Sequence, residues 1–341
     1  MINELKKLCS LNAASGRENE VRDYIIKEIT PYADYKTDPL GNIIAFKKGK
    51  FSAKKKVMLS AHMDEVALII TYIDNSGFLK FTTVGGIDTQ VLAGKRVSVN
   101  GHIGVTGVKP IHLLKGKEKE SYPEIGDLYI DIGATSREDA LKYVSEGDIA
   151  YFISDSIDLG SNLLKAKSVD DRLGCAVLLK MIRSDLKYDS VFVFTVQEEV
   201  GTRGATAAAH TVAPDYAIVV EATTAADISG VEDENRVCCL GGGAVVSFMD
   251  RATVYDRELY KLAFRLASDK NIKLQTKTKV AGGNDAGAIH KSRGGVKTIA
   301  VSIPCRYIHS PSCVINTDDI DSVYNIVEAL QEALCIDQIG K

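Results

Sequence analysis

The sequence predicts an α/β fold, a mostly parallel β-sheet sandwiched by helices, with a small β unit inserted in the middle of the chain. Apolar strand-like runs alternate with amphipathic segments at both ends of the 341-residue chain, as in sheets covered by helices. Between about residues 70 and 160, short alternating segments separated by glycines indicate antiparallel strands. We therefore expect one domain from residues 1–69 and 161–341, and an inserted β domain from residues 70–160.

The elements are expected in a definite order. Apolar residues at helical spacing predict two helices within residues 2–29, and the turn between them carries Ser15 and Glu18, which suit a capping box. Strands are then expected over 42–49 and 55–70, and the inserted unit carries strand-like segments over 78–84, 96–101, 102–110, 127–134 and 147–154, with a helix over 136–147. The alternation resumes with helices over 171–185, 202–212, 257–271 and 317–336, and with strands over 190–199, 216–222 and 298–304.

Composition excludes several classes of function. A net charge of −3 gives no basic field for nucleic acid, and no run approaches the roughly 20 apolar residues of a membrane span. The amino terminus lacks the apolar core of a signal peptide, so we expect a cytoplasmic protein without nucleic-acid or membrane partners. The seven cysteines are scattered and indicate free, mostly buried thiols in a reducing compartment.

Metal-ligand side chains occur in five separate segments, most of them where an apolar run ends. In open α/β sheets, ligands bind outside the carboxyl ends of the strands. Imidazole and carboxylate ligands together suit Zn²⁺, Mn²⁺ or Co²⁺ better than Ca²⁺ or Mg²⁺. The sequence therefore predicts a dinuclear metal site. The candidate side chains are His62 and Asp64, Asp170 and Asp171, Glu198 and Glu199, Glu221, and His309.

Each segment on its own has an ordinary explanation. An isolated H-x-D pair is usually incidental, and carboxylates such as Asp170 and Asp171 are favoured at a helix start as caps. Glu198 and Glu199 follow a very apolar strand and could be solvated at a loop start. Because successive side chains of an extended backbone point in opposite directions, these two glutamates could also have different functions.

Taken in order, the motifs resemble those of the M42 family of dinuclear metallo-aminopeptidases, which includes glutamyl aminopeptidases and tetrahedral (TET) peptidases. The resemblance extends from about residue 4 to residue 335. It implies a zinc-peptidase-like catalytic domain, an inserted PDZ-like domain that serves assembly and active-site access, and a tetrahedral homododecamer. The motifs are AHMDE, GGIDTQVLAGKRV, KPIHLL, LYIDIGA, SVDDRLG, QEEVGTRGA, EATTAAD, GGNDAGAI and RYIHSP.

The resemblance also implies roles for single residues. Two divalent ions per chain, zinc or cobalt, are expected. Glu198 would be the general base that takes a proton from a shared, metal-activated water and returns it to the leaving amine, and Asp64 would orient His62. The ligand sets implied are His62, Asp170 and Glu221 for one ion, and Asp170, Glu199 and His309 for the other, with Asp170 as the bridge.

Three positions depart from the family pattern. The family often has aspartate where this chain has Glu221, and the extra methylene is expected to alter the reach of that ligand. Asn284 stands where threonine is common, and Ala67 stands where glycine is common. None of these changes removes a ligand, but packing on the substrate side near Asn284 and Asp285, which we take as candidate substrate residues, could differ.

The activity expected from the resemblance is removal of amino-terminal residues from short peptides. Arg251 follows a glycine-rich strand and could pair with an acidic first residue of the peptide; alternatively it is a surface arginine paired with Asp250 or Asp256. An N-acyl amino acid deacylase would use the same metal chemistry and stays open. An endoglucanase is disfavoured because the chain has no tryptophan to stack a sugar, and a non-catalytic peptide-binding protein is disfavoured because every ligand and the base are present.

Overall fold

An eight-stranded sheet forms the centre of the computed structural model, which describes residues 1–116 and 120–339. Its four middle strands are parallel to one another, whereas their outer neighbours on both sides run antiparallel to them. The expected α/β sheet is therefore present, with a parallel centre and mixed edges. Across the sheet the strands are β1 Asp34–Thr37, β2 Ile43–Lys47, β12 Ser190–Thr195, β3 Val57–His62, β13 Tyr216–Thr224, β16 Lys297–Cys305, β14 Ala244–Ser247 and β15 Leu274–Lys277.

Helices cover both faces of this sheet. Along β13, Ile218 and Val220 face one helical layer, while Ala217 and Val219 face the other, because side chains alternate along a strand. The larger core lies under the first layer, formed by α1 Ile2–Cys9, α2 Asn19–Ile29, α4 Val169–Arg183, α6 Arg257–Asp269 and α8 Thr317–Cys335. The second layer consists of α5 Arg203–Val212 and α7 Ala286–Ile289.

A closed six-stranded barrel lies in the middle of the chain and has its own apolar core, which includes Leu68, Val97 and Ile130. A small barrel is thus present where the sequence predicts a β unit. The helix expected over 136–147 is shorter, α3 Arg137–Ala140, and is followed by turns. Around the barrel the strands are β4 Ala67–Ile73, β5 Leu79–Val84, β8 Tyr129–Asp131, β7 His102–Gly107, β6 Arg96–Val99 and β9 Ile149–Phe152.

A third, three-stranded sheet was not expected from the sequence. It consists of β10 Ile157–Leu159, β11 Leu163–Ala166 and β17 Cys313–Asn316. Its register places Ala166 opposite Cys313. The segment that follows β11 therefore comes to lie beside the segment that precedes β17. Short 3₁₀ helices occupy Thr89–Val91, Ile111–Leu113, Ile125–Asp127 and Asp233–Asn235.

The prediction of a capping box at the second helix is wrong. α2 begins at Asn19, with Glu18 rather than Ser15 at the position before it. The Ser15 hydroxyl instead donates to the Asp64 carboxylate at 2.6 Å, because the turn packs against the end of β3.

All seven cysteines are free thiols. Among the described residues, no helix is both long and apolar enough to cross a bilayer.

Candidate active site

The carboxyl ends of the central strands bring candidate ligands together. His62 is the last residue of β3 and lies opposite Thr195, the last residue of β12. On the other side of β3, Val219 lies opposite Ser60, so Glu221 is level with His62 two residues further along. Because side chains repeat every second residue, both point to the same face of the sheet.

Asp170 lies between two histidines and contacts each through a different oxygen. Its Oδ1 is 3.1 Å from His62 Nε2, and its Oδ2 is 3.2 Å from His309 Nε2. A glutamate completes each side: Glu221 Oε1 is 3.5 Å from His62 Nε2, and Glu199 Oε2 is 3.4 Å from His309 Nε2. The structure therefore brings all five sequence-derived ligand candidates into two adjoining groups that share Asp170.

Asp171 belongs to the same cluster, although the family resemblance implied no role for it. Potential ligand atoms of His62, Asp171 and Glu221 all lie within 4.8 Å of one another. Its carboxylate also accepts hydrogen bonds from the backbone N–H of His62 at 3.2 Å and of Gly174 at 2.9 Å. Asp171 thus ties the start of α4 to the end of β3. Helix-capping preferences do not predict this role of Asp171, because the contact joins segments that are distant in the sequence.

Asp64 supports two parts of the site at once. The His62 Nδ1 atom is 3.0 Å from the Asp64 carbonyl oxygen and 3.4 Å from its carboxylate. That carboxylate also accepts the backbone N–H groups of Glu198 and Glu199, at 3.0 and 3.1 Å. The histidine and the glutamate loop are therefore fixed to one buried side chain. The sequence suggested only the contact with His62.

Glu198 stands apart from the ligand groups. Among the described residues, neither group of potential ligand atoms includes it, although Asp64 fixes its backbone. Burial raises the pKa of the Glu198 carboxyl well above its usual value, and the neighbouring carboxylates of Glu221 and Asp285 raise it further. The buried environment thus disfavours the charged form of this carboxyl relative to that of a free glutamate.

The charged groups of the cluster shift one another's pKa values. Burial, together with the charge of Asp170, raises the pKa of Glu199 and of Glu221 to about 8 each. Burial would also raise the pKa of Asp170, but hydrogen bonds from His309 and His62 hold it below its usual range. Burial would lower the pKa of His309, yet the bond to Asp170 and the charge of Glu199 raise it to about 10.

This donor set fits divalent transition-metal ions. Crowded, buried carboxylates disfavour one another when ionised, and a cation among them removes that cost. Imidazole nitrogen with carboxylate oxygen is a ligand combination typical of zinc and its neighbours. Asp170, with one oxygen toward each histidine, is the residue that would bridge two ions.

Asp285 and Asn284 lie at the same edge of the sheet. Asp285 Oδ2 accepts a 2.6 Å hydrogen bond from the Thr195 hydroxyl, while its buried Oδ1 has no partner among the described residues. The Asn284 side chain instead donates to the Tyr255 hydroxyl at 3.1 Å. Of the two, Asp285 is therefore the one with a free acceptor near the cluster.

Arg251 is exposed and attached to the same loop. Its backbone N–H donates to the carbonyl of Gly282 at 2.9 Å. The suggested pairing with Asp250 or Asp256 is absent among the described residues. Asp250 accepts bonds from its own turn and from Tyr255, and Asp256 caps α6 and pairs with a lysine.

Comparisons with known proteins agree with this geometry. The family model described as M42 glutamyl aminopeptidase matches residues 41–326. A relative from Acetivibrio thermocellus, provisionally named an aminopeptidase, is 42% identical over 98% of each chain. Aminopeptidase APDkam598 of Desulfurococcus kamchatkensis superposes with a TM-score of 0.92 at 34% identity, covering 99% of this chain and 96% of its own. The TET1 peptidase of Pyrococcus horikoshii, described as assembling into a tetrahedron or a large octahedral shell, has a TM-score of 0.84 at 34% identity, covering 96% and 98%.

Replacing Gly174 with alanine tests how firmly Asp171 is held. A Cβ atom at this position would overlap the Asp171 carboxylate, reaching 2.6 Å from Oδ1. Alanine is better than glycine in a helix by about 1 kcal/mol, but overpacking costs about 1–3 kcal/mol. The net effect is a loss of up to about 2 kcal/mol, and we expect Gly174→Ala to lower the free energy of unfolding of metal-free protein in urea by about 1 kcal/mol.

The matched control is Gly294→Ala, whose Cβ would meet nothing within 4 Å. It should change the free energy of unfolding by no more than about 0.5 kcal/mol. A Gly174→Ala protein as stable as the wild type would show that the Asp171 carboxylate moves aside freely.

Proposed function

This chain belongs to the M42 aminopeptidase family, and we propose that it removes amino-terminal residues from short peptides with two divalent metal ions, zinc or cobalt. The observation that carries this proposal is the position of Asp170 between His62 and His309, with one carboxylate oxygen toward each. Two bound ions would activate a shared water and polarise the scissile carbonyl.

The ligand roles follow from the two groups of contacts. We propose that His62, Asp170 and Glu221 hold one ion, and that Asp170, Glu199 and His309 hold the other. The support is that each glutamate lies within 3.5 Å of the histidine on its side. For Glu221, this distance indicates that the longer side chain still reaches the position where aspartate is common in the family.

Glu198 is proposed as the general base. It lies outside the ligand groups, and Asp64 fixes its backbone. Burial raises the pKa of its carboxyl above the usual value, and the nearby carboxylates of Glu221 and Asp285 raise it further; a higher pKa makes the ionised carboxylate a stronger proton acceptor. Glu198 would take a proton from the attacking water and deliver it to the leaving amine. Asp64 would orient His62.

Self-association into a tetrahedral homododecamer is proposed on two grounds. The TET1 peptidase of Pyrococcus horikoshii, similar over nearly the whole chain, is described as forming a tetrahedron or an octahedral shell. The inserted segment also exposes large apolar side chains, including Ile103 on β7, and Ile111 and Tyr122 between β7 and β8, and burying such side chains favours association. We propose that the inserted domain, residues 70–160, serves assembly and access to the active site.

We propose that Arg251 gives the enzyme a preference for peptides with an acidic amino-terminal residue. Its guanidinium is exposed and, among the described residues, pairs with neither Asp250 nor Asp256. Its backbone is bonded to the loop that leads into Asp285. A free guanidinium beside an otherwise acidic site could pair with a glutamyl side chain by two parallel hydrogen bonds.

The activity is tested with unblocked and N-acylated aminoacyl amides, before and after chelation. We expect hydrolysis of unblocked substrates only, two ions per chain by elemental analysis, and loss of turnover with the metal, restored by Zn²⁺ or Co²⁺. Turnover of N-acylated substrates alone would favour a deacylase. Activity that persists in metal-free protein would overturn the proposal.

Glu198→Gln separates proton transfer from metal binding. The amide keeps the shape of the side chain but cannot take a proton, so kcat should fall by about 10²–10⁴-fold while metal content stays at two ions. The control is Glu234→Gln on the exposed surface, which should leave kcat unchanged. A Glu198→Gln enzyme with wild-type kcat would remove Glu198 from the role of base.

Arg251→Ala tests the acidic preference. We expect kcat/KM for a glutamyl amide to fall about tenfold, which is the low end for a hydrogen bond to a charged group, while the value for a leucyl amide is unchanged. Arg257→Ala, another exposed arginine on α6, serves as control. Equal losses on both substrates would exclude a role for Arg251 in specificity.

A further inference from the structure

We propose that Glu65 is a positioning residue whose buried carboxylate joins three chain segments and thereby sets the affinity of the site for metal. The inference rests on the ligand roles proposed above. Glu65 follows directly after the H-x-D pair at the end of β3, yet its side chain turns away from the ligand cluster into a separate network of charges.

The carboxylate of Glu65 accepts hydrogen bonds from two other segments of the chain, at Ala13 and at residues 167–172. Its Oε1 accepts the Ala13 backbone N–H at 2.9 Å. Lys167 Nζ lies 3.0 and 2.9 Å from its two oxygens, and Arg172 Nη2 lies 3.3 Å from Oε1. The Ser168 hydroxyl donates to Oε2. Every hydrogen-bonding position of the carboxylate is thus occupied by a donor from outside its own strand.

Each joined segment leads directly into the active site. The segment from Lys167 continues into Asp170 and Asp171, the bridging carboxylate and its neighbour. The amino-terminal segment continues from Ala13 to Ser15, whose hydroxyl donates to the Asp64 carboxylate at 2.6 Å. The third segment is the end of β3 itself. A shift of the Glu65 carboxylate would therefore be transmitted to groups on both sides of the metal cluster.

The cluster is buried and unbalanced in charge. Glu65, Lys167 and Arg172 are 4%, 5% and 0% exposed. Two cations face one anion, and the Nε and Nη1 atoms of Arg172 have no hydrogen-bond partner among the described residues. Buried charges without a partner are strongly disfavoured, and among the described residues Glu65 is the carboxylate that pairs with both cations. Lys167 also donates to Asn12 Oδ1 at 3.0 Å. Lys167 and Asp170 line the same small cavity, so this charge cluster lies beside the ligand groups.

A similar charge cluster elsewhere provides a matched control. Arg183 on α4 donates to Glu4 and Glu28 at 2.6 Å each and so joins α1, α2 and α4. Like the Glu65 cluster, the Arg183 cluster has one central charge and two opposite charges, and it joins segments in the same region of the fold. Arg183 is the last residue of α4, at the opposite end of the helix from Asp170 and Asp171, and the side chains of this cluster are 17–30% exposed. Loss of this cluster should lower the stability of the protein and leave its metal affinity unchanged.

The test compares Glu65→Gln with Glu4→Gln in the full-length protein. Zn²⁺ and Co²⁺ affinity is measured by competition with a chelating indicator, and folding by circular dichroism and thermal unfolding. We expect Glu65→Gln to bind metal about 10–100-fold more weakly, as for groups that hold ligands in place. Glu4→Gln should lower the unfolding temperature and leave metal affinity within about twofold.

A second variant, Lys167→Met, keeps the test decisive if Glu65→Gln does not fold. It removes one charge and preserves the length of the side chain, and it should also weaken metal binding. A folded Glu65→Gln or Lys167→Met protein with wild-type metal affinity would overturn this inference alone. A wild-type protein that binds no metal would overturn the proposed site, and this inference with it.

Discussion

Repulsion among carboxylates packed at the end of the central sheet is the constraint on which the rest of this structure depends. Asp170, Asp171, Glu199 and Glu221 meet in a largely buried space together with His62 and His309. Like charges at low dielectric cannot all stay ionised, and burial accordingly raises the pKa of both glutamates to about 8. A cation held by these groups lets all of them ionise, so the same repulsion that disfavours the metal-free site favours metal binding.

The scaffold keeps the cluster together by placing each ligand on a separate, firmly held segment. Parallel strands fix His62 and Glu221 side by side, and a buried carboxylate, Asp64, accepts the backbone N–H groups of the glutamate loop. Behind them, Glu65 joins Lys167 to the end of β3. Backbone donors and buried cations thus offset repulsion that would otherwise push the ligand segments apart, which explains why so many polar side chains are buried at this edge.

Features that come from strand periodicity were predictable from the sequence. His62 and Glu221 each follow an apolar run, and parallel strands bring such ends together. The sheet of β10, β11 and β17 was not predictable, because its strands are only three or four residues long, too short for a periodic pattern to identify them. The contact between Ser15 and Asp64 was also missed. Residues with capping preferences form either local or distant hydrogen bonds, and only tertiary packing decides which.

The acidity of the site also bears on which substrates it accepts. A free peptide amino group is positively charged and is attracted to a site rich in carboxylates, where Asp285 lies close enough to Glu198 to affect its pKa, whereas an N-acylated terminus has no such charge. The same field repels an acidic first side chain. An enzyme that accepts glutamyl peptides therefore needs a cation near the site that is not already paired with a carboxylate. Lys167 and Arg172 both pair with Glu65, whereas the exposed Arg251 pairs with neither Asp250 nor Asp256, and this difference is the reason for proposing Arg251 rather than the buried cations.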